Sequence, residues 1–251
     1  MSAHLDRKTW AAGAVVVAGL LGAAPDEARA GERYDPFEGY GTHSLRLGLK
    51  GDVTTGTQPS SGGATYVQKN LLAEFNVLAF SAPTVFGTLL GVEWDFAAGI
   101  RTVDAPSVAP GSNEALEGVG FTMRTDFEFA YDLIRWKLLA LRQRLILNAG
   151  GGFDYNSHPW PLLNGSEGWR AYPLIGGHVQ SWIGESLLLD VAYRYVPTQS
   201  KDNVGSEHRL QAALGVGPVM VGADFVTTQL LGDATGPLAQ TRVGGFAAWA
   251  F

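Results

Sequence analysis

Apolar side chains occupy every second position through ten stretches of this chain, and charged side chains stand at the positions between them. In the stretch 86–101, Trp94 and Phe96 occupy even-numbered positions, while Glu93 and Asp95 occupy odd-numbered ones, a difference that we call parity. Successive side chains of a β-strand point to opposite faces, so this period predicts strands with one apolar and one charged face. The sequence therefore predicts an all-β fold. The predicted strands cover about 42–51, 70–80, 86–101, 119–131, 141–155, 171–183, 187–195, 207–216, 219–225 and 240–251.

The two faces of these strands differ in charge. Eight basic and nine acidic residues lie on one face, and none of them lies on the apolar face. A lysine or arginine facing lipid at the middle of a bilayer costs roughly 2–4 kcal/mol, which is sufficient reason to keep charge off a lipid-facing wall. A soluble sandwich would instead turn its charges to water. We expect the seventeen residues to form a charge network inside the molecule: Arg46, Lys50, Glu74, Glu93, Asp95, Arg101, Arg124, Asp126, Glu128, Arg144, Asp154, Asp190, Arg194, Glu207, Arg209, Asp224 and Arg242.

The N-terminal segment has the order of features found in an export signal. Arg7 and Lys8 precede a small, apolar stretch at 11–24, and Ala28-Arg29-Ala30 provides a cleavage site. As a helix, those residues would span about 21 Å, short of the roughly 30 Å hydrocarbon core, so a retained anchor is the weaker alternative. We expect a signal peptide at 1–30, cleaved after Ala30 on the general secretory route. The chain contains no cysteine, so it has no site for a lipid anchor on that residue.

The C-terminal residues alternate in the same way and end on an aromatic side chain. One face of the last predicted strand carries Val243, Gly245, Ala247, Trp249 and Phe251. This terminus resembles that of outer-membrane β-barrel proteins, in which such a pattern is the signal read by the barrel-assembly machinery. The resemblance implies a closed antiparallel transmembrane β-barrel of about ten strands, with eight possible, and a location in the outer membrane of a Gram-negative type of cell. It also implies contact with outer-membrane lipid and a monomeric state.

Long and short connections alternate along the chain, as they do in such barrels. Glycine, proline, serine and asparagine are frequent in the long segments, which we expect to be external loops, while the short connections would be periplasmic turns. We expect 31–41 to be a short periplasmic segment before a barrel that covers 42–251. The long connections are 52–64, 102–118, 156–170, 196–206 and 229–238; the short ones are 81–84, 134–137, 184–186 and 217–218. For 133–144 an alternative is a basic amphipathic helix on the membrane surface.

The near balance of opposite charges favours one function class over another. In a small barrel the interior is nearly filled by side chains, and opposite charges would pair across it. We therefore expect a filled lumen and a structural or surface-interaction role. A narrow pore for ions or small solutes is the alternative, although selectivity rings usually carry charge of one sign.

An enzyme is the third hypothesis, in the form of an outer-surface hydrolase. Ser157 with His158, and Glu207 with His208, lie near the predicted outer rim. Neighbouring residues of a strand point to opposite faces, so neither pair forms a nucleophile and base by proximity alone. We expect no catalytic residues from these pairs.

Other partner classes find little support in the composition. The net charge is −6 and there is no basic run, which argues against nucleic acid. The five histidines are scattered without metal-ligand spacing, so we expect no metal and no cofactor. The segment 157–169 contains Trp160 and Trp169 along with prolines and leucines, which is unusual for water-exposed sequence. We expect it to fold onto the barrel rim or to lie in the outer lipid interface, and a contact surface for a partner is the alternative.

Overall fold

The described residues of the computed structural model are 43–58, 64–83, 89–105, 116–157, 168–184, 187–200, 203–232 and 238–250. They form ten β-strands in chain order. The strands are β1 (His43–Gln58), β2 (Ala64–Pro83), β3 (Leu89–Ala105), β4 (Leu116–Leu138), β5 (Leu141–Asn156), β6 (Gly168–Ile183), β7 (Leu187–Ser200), β8 (Asn203–Val216), β9 (Val219–Gly232) and β10 (Leu238–Ala250).

Each strand pairs antiparallel with its neighbours in the chain, and β10 pairs with β1 to close the ring. The closing ladder runs from Arg46 opposite Ala250 to Gly56 opposite Gln240. Closure leaves no strand edge with unpaired backbone groups, which is what a wall in lipid requires. The predicted all-β closed barrel of ten strands is confirmed, and the count of eight is wrong. The sixth predicted strand, whose pattern was the weakest, is a full strand in the ring.

The two ends of the barrel differ in their connections. The connections 59–63, 106–115, 157–167, 201–202 and 233–237 join strands at one end, which we call the loop end. The other end, the turn end, holds the start of β1, the end of β10 and the connections 84–88, 139–140, 184–186 and 217–218.

The strands extend further toward the loop end than the alternation predicts. Most of the predicted connection 52–64 is strand, because β1 continues to Gln58 and β2 begins at Ala64. Antiparallel pairing satisfies backbone groups whatever the side chains are, so the ladder continues where the apolar face stops. Lys69 lies on the outer face in this extension and is exposed. The polarity pattern therefore locates the apolar belt rather than the ends of the strands.

The connection between β4 and β5 also differs from its prediction. A turn at 134–137 was expected, but β4 continues to Leu138 and the turn is Leu139–Ala140. A bulge between Asp132 and Ile134 changes the parity of β4, so Ile134 faces outward after it. The amphipathic helix proposed for 133–144 is excluded, since these residues are strand and turn.

Among the described residues, no helix is long and apolar enough to cross a bilayer.

Several predictions fall outside the described residues. These are the signal peptide at 1–30 with its cleavage after Ala30, the segment 31–41, Phe251, and the segment 157–169 apart from Ser157, Gly168 and Trp169.

Candidate functional site

The barrel is apolar outside and charged inside. On the outer wall Val119 is 70% exposed and Phe129 is 59% exposed, whereas inside Glu93 and Glu128 are fully buried. A soluble protein would bury the first pair and expose the second. The chain is a transmembrane β-barrel.

The structure places all seventeen predicted charged residues on the inner face, and none of them is exposed. Their positions follow from strand parity: Glu93 and Asp95 are two residues apart on β3 and point the same way. The partners of these residues, however, depend on the strand register.

A group that we call the central ion-pair cluster occupies the middle of the lumen. Arg194 of β7 donates from Nη2 to Asp95 at 2.9 Å and from Nε to Glu128 at 2.7 Å, and its Nη2 forms an ion pair with Glu93 Oε1 at 3.0 Å. Glu93 stands directly opposite Glu128 on the neighbouring strand. Like charges in that position repel, so the guanidinium is what makes the pairing tolerable. One cation thus pairs with three carboxylates, two from β3 and one from β4.

His178 of β6 extends the central ion-pair cluster. Its Nε2 lies 2.8 Å from Glu93 Oε2, and its Nδ1 lies 3.2 Å from Asp190 Oδ1. The histidine therefore joins β3 to β7 through two buried carboxylates. Glu93, Asp95 and Glu128 also bring carboxylate oxygens within 4.8 Å of one another, as ligands of a metal ion would be. The Arg194 guanidinium already fills that position.

Toward the loop end, charged side chains surround a small, partly open space that we call the basic cavity. Its acidic lining residues are Asp52, Asp154 and Glu207. Its basic lining residues are Lys50, Arg101, Arg124, Arg170, Arg209 and Arg242.

The basic side chains that line the basic cavity form ion pairs with carboxylates that lie next to it in the lumen. Lys50 Nζ lies 3.0 Å from Asp224 Oδ1, and Arg209 Nη1 lies 2.8 Å from Asp126 Oδ2. The Tyr172 hydroxyl donates to the other oxygen of Asp126 at 2.6 Å. These contacts fix the positions of the charged groups and leave a small space between them and the loop end.

Toward the turn end the lumen holds two clusters of buried apolar side chains that we call the apolar plug, next to the buried ion pair of Arg144 and Asp132. Sequence reasoning missed it. The sequence contained a sign of it, because Leu78 and Phe80 lie at the same alternate positions as the inward-facing Glu74 and are therefore on the inner face. Arg144 lies over the Phe80 ring, with its guanidinium carbon 3.9 Å from the ring centroid. The buried members are Leu78, Phe80, Leu89, Ala130 and Ile146 in one group and Ala213, Met220 and Phe246 in another, with Leu188 and Ala248 packed against the second.

The predicted assembly residues lie in the closing strand. Val243, Gly245, Ala247 and Trp249 share its outer face and are exposed. Leu47 of β1 stands opposite Trp249, and Leu49 stands opposite Ala247.

Of the pairs weighed as catalytic candidates, Glu207 and His208 lie on opposite faces of the wall, with Glu207 facing inward and His208 facing outward. Ser157 Oγ accepts a hydrogen bond from Phe121 N–H, and its intended partner His158 lies outside the described residues. His208 instead contacts two residues that sequence reasoning did not select. Its Nδ1 lies 2.7 Å from the Tyr193 hydroxyl, and its Nε2 lies 3.3 Å from Ser206 Oγ.

Some solved outer-membrane proteins are similar in structure to this chain. No protein-family model and no curated protein matches the chain. The outer membrane protease OmpT from Escherichia coli is similar in structure at 10% identity and a TM-score of 0.41, over 87% of this chain and 98% of that one. The translocator domain of the autotransporter NalP from Neisseria meningitidis has 12% identity and a TM-score of 0.41, over 95% and 97%. An outer membrane channel from Pseudomonas putida F1 has 11% identity and a TM-score of 0.36, over 91% and 100%. At these identities the likeness concerns the general fold alone.

Proposed function

We propose that this protein is an outer-membrane β-barrel whose lumen is closed to ions, with a structural or surface-interaction role. The outer-membrane location is supported by the apolar outer wall, the alternating C-terminal strand and the export-signal pattern at 1–30. The proposal includes contact with membrane lipid, delivery through the assembly machinery and a monomeric state.

The apolar plug is the observation that carries this proposal. An ion moving along the lumen would have to leave the water of the basic cavity and pass between buried side chains such as Phe80, Ile146 and Met220. Moving a charged group into such surroundings without a partner costs many kcal/mol. A lumen closed in this way leaves the outer wall and the loops for function.

A narrow pore is the second candidate, and one observation favours it. The space next to the central ion-pair cluster is lined by Asp95 and Arg194 and shares Lys50, Arg124 and Arg242 with the basic cavity. Space therefore extends from the loop end to the middle of the lumen. A pore would also require a path through the apolar plug.

Single-channel conductance in planar bilayers decides between the two candidates. We expect no steps from the refolded wild-type protein and steps from Phe80→Ala combined with Phe246→Ala, which removes two rings of the plug. Phe129→Ala is the matched control, since Phe129 is an aromatic residue of the outer wall, and it should remain silent. Steady steps from the wild type would overturn the closed-lumen proposal.

A further inference from the structure

Ser206, His208 and Tyr193 form a chain of hydrogen bonds on the outer wall, outside the charged lumen. Ser206 and His208 are two residues apart on β8 and therefore project from the same face. The Ser206 hydroxyl reaches His208 Nε2 at 3.3 Å, and His208 Nδ1 reaches the Tyr193 hydroxyl of β7 at 2.7 Å. A hydroxyl bound to an imidazole that a third group orients is the arrangement of an activated serine nucleophile.

The surroundings of His208 hold its ring in place. The ring centroid lies 6.2 Å from that of Tyr193 and 5.3 Å from that of Tyr195. Both tyrosines belong to β7, and Tyr195 stands directly opposite His208 in the ladder. The imidazole is thus packed against two aromatic rings while it stays exposed.

This group of residues lies at the edge of the apolar belt. The next outward residue of β8 toward the turn end is Leu210, and Phe225 of β9 stands opposite it; both are exposed. Tyrosine side chains are typical of the interface between lipid and water. An acyl chain lying in the bilayer against Leu210 and Phe225 would bring the ester group at its end close to His208.

We propose that Ser206 and His208 are the catalytic residues of an acyl-ester hydrolase that acts on membrane lipids, with Tyr193 as a positioning residue. This activity goes beyond the proposed structural role and does not depend on whether the lumen conducts. The substrate class follows from the site, which is reached from the lipid surface rather than from the lumen.

The reaction balances with water as the only co-reactant. Ser206 Oγ attacks the ester carbonyl carbon and gives its proton to His208 Nε2, while Nδ1–H donates to the Tyr193 oxygen. The tetrahedral intermediate collapses with cleavage of the bond to the alcohol oxygen, which takes the proton from Nε2. A water molecule then attacks the acyl-serine carbonyl carbon and gives one proton to His208 Nε2. The second tetrahedral intermediate collapses with cleavage of the bond to Ser206 Oγ, which takes that proton from Nε2, and the fatty acid is released.

Polar residues of β9 stand opposite Ser206 and His208 in the ladder. Gln229 of β9 is directly opposite Ser206, and Thr227 is directly opposite His208. Both share the outer face of the wall, and Gln229 is exposed. Opposed Cβ atoms in an antiparallel ladder lie about 4.5–5.5 Å apart, so the Gln229 amide can reach a group bound at Ser206. A side-chain amide is one of the donor types that stabilise the oxyanion of a tetrahedral intermediate.

The test uses the refolded full-length barrel in mixed micelles of detergent and dioleoyl-phosphatidylcholine, with release of fatty acid as the measured rate. A fluorophosphonate probe, followed by peptide mass spectrometry, reports independently whether Ser206 is nucleophilic. Ser157→Ala is the matched control, since Ser157 is a serine at the loop end of the barrel whose Oγ accepts a hydrogen bond from the Phe121 N–H. Migration in gels without boiling checks that each variant is folded.

We expect fatty-acid release and labelling of Ser206 in the wild type and in Ser157→Ala. Ser206→Ala should abolish both, and His208→Ala should lower the rate about 10²–10⁴-fold. Tyr193→Phe should lower kcat and change the pH profile of hydrolysis, which loss of packing alone would not do. Absence of release and of labelling in the folded wild type would overturn the proposal, as would a Ser206→Ala variant of wild-type rate.

Discussion

Arg194 shows how much of the interior depends on single residues. It contacts three carboxylates, and two of these, Glu93 and Glu128, stand opposite each other on adjacent strands. Buried charges of one sign need a partner, because they have lost the water that would otherwise screen them. The stability of the barrel around the central ion-pair cluster therefore depends strongly on the Arg194 guanidinium.

We predict that Arg194→Ala lowers the free energy of unfolding by about 3–5 kcal/mol, because it leaves buried carboxylates without their cation. The measurement is urea unfolding in lipid vesicles, followed by tryptophan fluorescence. Arg242→Ala is the control: its Nε lies 3.8 Å from Asp224, and we expect a loss of about 1 kcal/mol or less. Equal losses in the two variants would contradict the role assigned to Arg194.

The faces of residues could be predicted from sequence, whereas their contacts could not. Parity alone put Arg194 and Asp95 inside, since it depends only on counting along a strand. Their 2.9 Å contact joins residues of β7 and β3 and depends on every register between those strands. Ser206 was missed for a related reason, because sequence reasoning weighed adjacent residues and not the i, i+2 pair that a strand brings together.

Among the elements, the β4–β5 hairpin contains the clearest case of local backbone strain. Leu139 has a φ of 52°, the only positive value for a non-glycine residue in the described ranges. The side chain is 90% exposed, so no packing compensates for the strain there. The other turn residues with positive φ, Gly184 and Gly217, are glycines, which adopt that conformation freely.

We predict that Leu139→Gly raises the free energy of unfolding by about 1 kcal/mol, because glycine relieves a strained φ. Unfolding in urea measures the change. The neighbouring Leu138 is a strand residue, and Leu138→Gly should instead lower stability by about 0.5–1 kcal/mol. If both variants lose stability, the strain assigned to Leu139 is absent.

Element boundaries were harder to predict than element identity. The alternation located all ten strands because lipid imposes polarity on each of them. It ended β1 near Gly51, where the apolar face ends, although the ladder continues to Gln58. The bulge at Asp132 changed the parity of β4 and moved the expected turn by several residues. Bulges and extended ladders are properties of backbone pairing, and polarity patterns do not report them.

For the whole molecule, closure of β1 onto β10 is the property that resists unfolding. All the strands must separate together, since no strand is free at an edge. We predict that unboiled samples migrate differently from boiled samples in detergent gels. Removal of residues 238–250 should abolish the difference, because the ring can no longer close. Identical migration of boiled and unboiled full-length protein would contradict a closed barrel.

The central ion-pair cluster also has a mechanical consequence. In a ring of ten, β3 and β7 lie four strands apart, nearly across the diameter, and Arg194 and His178 tie that side of the wall to β3 and β4. A barrel without contacts across its lumen could change from a round to an oval cross-section without losing any interaction. Here the ion pairs join opposite sides of the wall across the lumen, so a change to an oval cross-section requires breaking these buried contacts. The part of the wall from β3 to β7 therefore keeps its curvature as the surrounding lipid moves, and Tyr193 of β7 on its outside keeps its place.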